Sequence, residues 1–121
     1  MNNLLPDSDI IFPHYTILKA SAGAGKTTAL TSRYVQFLLS DRIQNNKLKN
    51  ILAITFSNNA TREMKERILK ILKNLYQKEE ETIKKFSTLL GIDKEKLSLK
   101  AKETIEEILN NYSDFQIKTI D

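Results

Sequence analysis

A chain of 121 residues with 40% hydrophobic and 28% charged residues has the composition of a soluble globular domain and can bury one modest core. With no cysteine there is no disulfide framework or thiolate metal site, no apolar run approaches the roughly 20 residues that span a bilayer, and the start from Met1 to Asp7 lacks a signal peptide's basic and apolar regions. The cytoplasm is therefore the expected compartment, without a membrane partner, and the net charge of +4 suits an anionic partner such as a nucleotide or nucleic acid without selecting one.

Residues 1–14 read as an irregular lead-in broken by Pro6 and Pro13. A short β-prone run, Tyr15-Thr16-Ile17-Leu18, predicts a strand over about 15–20 that feeds a glycine loop. A helix follows from about Lys26 to Leu39, with Leu30, Tyr34, Phe37 and Leu38 at helical spacing. The polar stretch from Asp41 to Asn50 reads as a connecting loop. The run from Ile51 to Phe56 predicts a second strand, near-continuously apolar as parallel strands covered on both faces tend to be.

Ser57, Asn58 and Asn59 carry the side chains that cap a helix N-terminus. The helix they open bears Ala60, Met64, Ile68, Ile71, Leu72 and Leu75 on one stripe. Two further helical patterns follow, Ile83, Phe86, Leu89 and Leu90 ending at Gly91, then Ala101, Ile105, Ile108, Leu109 and Tyr112. Phe115 to Ile120 alternates like a final strand. The acidic run Glu79-Glu80-Glu81 ahead of Lys84 and Lys85 reads as a solvated helix face. The order is thus βαβ, a helical excursion over about 73–113, and a last strand, which predicts an α/β domain with parallel strands.

Two segments carry chemistry. Ala20-Ser21-Ala22-Gly23-Ala24-Gly25-Lys26-Thr27 is a phosphate-binding P-loop pattern, set between a strand and a helix as that motif requires. Gly23 and Gly25 let backbone approach phosphate oxygens, and the leading N–H groups and dipole of the helix favour negative charge. Lys26 is expected on the β- and γ-phosphates and Thr27 on Mg²⁺, with the cofactor-binding set running from Ala20 to Thr28. ATP and Mg²⁺ are the expected cofactors, and Lys26 and Thr27 the residues that serve turnover. The bland reading, a glycine turn beside an exposed lysine, fits this flanking pattern poorly.

The second segment is the strand ending in Thr55-Phe56 with its capping turn. Ligands bind outside the C-terminal ends of parallel strands, which places Thr55, Phe56 and Asn58 to touch a partner. An aromatic ring beside hydroxyl, amide and helix N–H donors could stack a base and hold a phosphate. Equally, Phe56 could plug the core while Ser57 to Asn59 only cap the helix.

Together these segments resemble motifs I and Ia of the UvrD/RecB-like helicases of superfamily one. The tail Gln116-Ile117-Lys118-Thr119-Ile120-Asp121 resembles the start of a third motif of that family, usually Thr-Ile-His/Asp followed by Ser-Phe. The resemblance covers about residues 15–68 and 115–121. It implies the N-terminal part (1–121, with 73–113 as a helical insertion) of a RecA-like P-loop NTPase domain. It also implies ATP-driven movement on single-stranded or duplex-end DNA, with Thr55, Phe56, Ser57, Asn58, Thr119 and Asp121 as the DNA-contact set. The partners it implies are the remaining helicase domains of the same chain and a helicase–nuclease partner subunit. Two departures stand out. Many relatives read adenine with a glutamine upstream of the P-loop, whereas the first glutamine here is Gln36, inside a helix. That and the Leu-Lys-Ala-Ser-Ala-Gly wording look more like the RecB/AddA side, where helicase and nuclease domains share a chain. Asn59 stands where the family often has lysine.

The acidic pair, the arginines and the second RecA-like domain that such enzymes need for hydrolysis are expected beyond Asp121, so these 121 residues alone are expected to be inactive. A small P-loop kinase and a non-catalytic nucleotide-binding module are the alternative readings.

Overall fold

In a computed structural model of the chain, the backbone is described for residues 24–120 and the side chains for 28–120. The expected first strand at 15–20 and the residues Ala20 to Gly23 lie outside the described residues, as does Asp121. The first helix, α1, spans Ala24–Leu39. Its periodic apolar positions face inward, but Thr31, Ser32, Arg33 and Gln36 are buried as well, so its middle turns are enclosed on nearly all sides. A single turn of 3-10 helix at Leu48–Asn50 interrupts the connection that was expected to be all loop.

Strand β1, Leu52–Thr55, pairs in parallel with β2, Gln116–Thr119, in the register Leu52↔Gln116 through Thr55↔Thr119. The parallel pairing expected from the element order is present. Among the described residues, the expected cover of β1 on both faces is not met. Ala53 and Thr55 point into the core, while Leu52 and Ile54 remain 54% and 46% exposed. The alternation is invisible in the sequence because both faces of this strand carry apolar residues. Among the described residues, α2 supplies the helical cover, lying against both strands.

Helix α2, Asn58–Tyr76, buries Met64, Ile68, Leu72 and Leu75, the stripe its 3.6-residue period predicts. It ends without a glycine. Lys78 takes the left-handed conformation at φ 58°, and the N–H of Glu79 donates to the Asn74 carbonyl at 2.8 Å while that of Lys78 donates to Leu75 at 3.1 Å. This is a Schellman closure built on lysine.

The side chain of Glu79 then caps α3, Glu80–Leu90, accepting from the N–H groups of Glu81 and Thr82 at 3.0 and 3.1 Å. The acidic run expected to be only a solvated face therefore begins with a capping residue. Gly91, at φ 66°, closes α3 in the left-handed region that glycine enters freely. Asp93 caps α4, Lys94–Asn110, through the N–H groups of Glu95 and Lys96.

Helix α4 departs from its expected stripe. Its buried line runs Leu97, Ala101 and Ile108, with Ile105 partly covered, whereas Leu109 and Tyr112 are 65% and 50% exposed. Leu109 follows the buried Ile108 by one residue, about 100° around the helix, and Tyr112 falls in a 3-10 turn past the helix end. The excursion is not a separate body: α3 and α4 contribute to the same hydrophobic cluster as α1, α2 and the strands. Among the described residues no helix is long and apolar enough to cross a membrane.

Candidate nucleotide and nucleic-acid site

At the C-terminal ends of the two strands the chain is held by hydroxyls. Thr55 and Thr119 face each other in register, and the N–H of Ile120 donates to the Thr55 carbonyl at 2.8 Å. The Thr55 side chain is fully buried; its hydroxyl donates to the Ser57 carbonyl at 3.1 Å and lies 2.6 Å from the Thr61 hydroxyl. Thr61 in turn sits 2.8 Å from the Thr119 hydroxyl. The sequence placed Thr55 to touch a partner. The fold turns its side chain inward, because in β1 it shares the core-facing side with Ala53.

Phe56 goes the other way. It is 56% exposed, so it does not plug the core. The next residue, Ser57, adopts extended backbone at φ −146° and accepts from the Ala60 N–H at 3.0 Å, capping α2 as its residue type predicts. Asn58 and Asn59 are exposed, and the Asn59 side-chain oxygen accepts from Arg62 at 2.8 Å. The strand end thus presents an exposed ring, two amides and a helix N-terminus side by side. Thr119 is half-buried beside them.

The phosphate-loop residues Ala24 to Thr27 form the first turn of α1 by backbone; Ala20 to Gly23 lie outside the described residues. Thr28 is exposed and accepts from Arg67 of α2 at 3.3 Å, while Arg67 also pairs with Glu63 at 2.5 Å. Thr28, Thr31, Arg67, Lys70, Ile71 and Asn74 line an open cleft of about 200 Å³ between α1 and α2. The helix that carries the loop lysine and the helix capped beside Phe56 therefore pack directly on one another. Among the described residues no group of three or more His, Cys, Asp or Glu could hold a metal ion. Thr61 was not singled out from the sequence. A threonine one turn into a helix gives no local signal, and its role depends on a contact 58 residues away.

These features define a class: a parallel strand pair under α-helices, with the glycine-loop helix α1 packed against α2, the helix that follows β1. The model of the UvrD/REP helicase N-terminal domain family matches residues 11–120, and the chain belongs to that family. The chain is 46% identical over 56 residues to the ATP-dependent DNA helicase PcrA of Staphylococcus aureus, a match covering 46% of this chain and 7% of that protein. It is 38% identical over 82 residues to an ATP-dependent helicase/nuclease subunit of Lactobacillus johnsonii, covering 68% of this chain and 6% of that protein. A second ATP-dependent helicase/nuclease subunit, from Alkaliphilus oremlandii, is 44% identical over 52 residues, covering 43% of this chain and 4% of that protein. The chain thus spans a small fraction of the length of the curated relatives it matches. No solved structure gives a significant match.

Proposed function

We propose that this chain is the ATP-binding N-terminal segment of a cytoplasmic ATP-dependent DNA helicase that moves along single-stranded DNA, with a RecA-like P-loop core. The observation that carries this is the exposed Phe56 ring at the end of β1, beside the capped start of a helix that packs on the phosphate-loop helix. Family membership removes the support for a small kinase or a non-catalytic module. The longer alignment to a helicase/nuclease subunit supports the RecB/AddA-like reading, with a nuclease activity and a partner subunit in the assembled enzyme.

The donor set fits a nucleoside triphosphate. Ala24 to Thr27 are the first turn of α1, whose leading N–H groups have no acceptor within the helix and whose dipole favours anions. Lys26 would neutralise the β- and γ-phosphates and Thr27 would complete the shell of Mg²⁺, within the set from Ala20 to Thr28. Bound ATP supplies the free energy for movement. Beside the C-terminal end of β1, Phe56 would stack on a base and Ser57 and Asn58 would meet the phosphate backbone, with Thr119 and Asp121 assigned to the same DNA-contact set. Thr55 supports this edge from inside.

The test is Phe56→Ala in the complete helicase polypeptide. Removing one stacking ring should weaken single-strand binding by about 1–3 kcal/mol. The melting transition should scarcely move, because the ring is largely in solvent. Unchanged affinity for an oligothymidylate would contradict the assignment.

A further inference from the structure

We infer that Thr61 is a positioning residue that locks the Phe56–Asn58 turn to the end of β2, an inference that rests on reading the strand ends as the DNA-contacting edge. The direction of the hydroxyl chain follows from proton counting. Each threonine hydroxyl has one proton. The Thr55 proton goes to the Ser57 carbonyl at 3.1 Å, in preference to the Lys118 carbonyl at 3.5 Å. At 2.6 Å Thr61 must then donate to Thr55, and at 2.8 Å Thr119 must donate to Thr61. A one-way chain results, Thr119 to Thr61 to Thr55 to the Ser57 carbonyl.

That carbonyl also accepts from the Thr61 N–H at 3.0 Å. Both of its lone pairs are thereby used, one by the end of β1 through the Thr55 hydroxyl and one by the first turn of α2 through the Thr61 N–H. Hydrogen bonds in such a chain polarise one another, so breaking the middle weakens both sides. Thr61 is the middle. It is the one member carried by α2; Thr55 and Thr119 are each the last residue of a strand. A displacement of the β2 end is therefore passed through Thr61 to the residue next to Phe56. The sequence places Thr61 and Thr119 far apart, and the parallel register of β1 and β2 together with the packing of α2 on β2 brings them together.

Thr61→Val keeps the shape and removes both bonds, whereas Thr61→Ser keeps the hydroxyl. In the complete polypeptide, Thr61→Val should speed amide hydrogen exchange over Phe56 to Asn59. It should also raise the dissociation constant for oligothymidylate about tenfold, the scale of one or two hydrogen bonds. The ATP KM and the kcat at saturating DNA should be unchanged. Thr61→Ser should restore both exchange and affinity. In hydrogen exchange, Thr119→Val, which removes one of the two bonds, should show a smaller change in the same direction, and the double variant should be no worse than Thr61→Val alone, as for members of one chain.

Unaltered exchange in both valine variants, or additive losses in the double variant, would overturn the inference. If Thr61→Val fails to fold, Thr119→Val at its half-buried strand end carries the same comparison. Faster exchange combined with normal DNA affinity in both Phe56→Ala and Thr61→Val would leave the lock standing and remove the DNA reading instead.

Discussion

Ser57 shows how much one side chain can settle at a strand-to-helix junction. Its hydroxyl accepts the Ala60 N–H, which would otherwise be one of the unsatisfied donors at the start of α2. Ser57→Ala should cost about 0.5–2 kcal/mol, and Ser57→Asp should recover most of it, as measured by urea unfolding. Equal stability of all three proteins would show that the cap contributes nothing. This residue was legible from sequence, since capping is local chemistry with a fixed offset. Its neighbours were not. Thr55 and Phe56 point to opposite sides, but a strand written Leu-Ala-Ile-Thr has no polar face to announce which is which. The ring could be assigned to surface or core only once the register with β2 was known.

At the scale of elements, helices were legible where burial follows a 3.6-residue period, and least so where they end. Gly91 announces the end of α3, whereas Lys78 does the same for α2 in a conformation that its residue type gives no reason to expect. The contact of α4 with the residue just past α1 was likewise hidden, because it is made by charges. Asp41, just past α1, accepts from Lys100 at 2.5 Å and pairs with Lys96 at 3.0 Å. These hydrogen bonds, Lys100 foremost, hold its carboxyl below the ordinary value of 3.8. A depressed carboxylate pKa adds stability above the unfolded-state value and loses it as pH falls through the lower folded one. Lowering the pH from about 5 to about 3 should therefore destabilise the native chain more than Asp41→Asn. The difference should be within about 1 kcal/mol for so exposed a pair. Parallel losses in the two proteins would remove Asp41 from the account.

For the whole molecule, the class of the fold could be read from the order of its elements: a glycine loop opening a helix, a β-prone run, a capped helix, two more helices and a closing strand. Family membership rests on nearly the same residues that carry those signals. What sequence could not supply was the common core that joins α3 and α4 to α1, α2 and the strands, since such contacts are long-range and apolar throughout. The arrangement brings the helix with Lys26 at its start against the helix capped beside Phe56. Nucleotide and strand would thus meet neighbouring elements of one core.

Residues 1–121 alone should accordingly bind ATP weakly and show no steady hydrolysis, since phosphoryl transfer also needs a positioned water and positive groups on the transferred phosphate. Steady turnover by the purified segment would contradict that. The most direct test of the central claim is ATP hydrolysis by the complete polypeptide, with and without single-stranded DNA, in the native protein and in Lys26→Ala. The native protein should hydrolyse ATP faster when DNA is added, and Lys26→Ala should lose turnover in both conditions while keeping its melting transition. Hydrolysis by Lys26→Ala at the native rate, or native turnover indifferent to DNA, would contradict it.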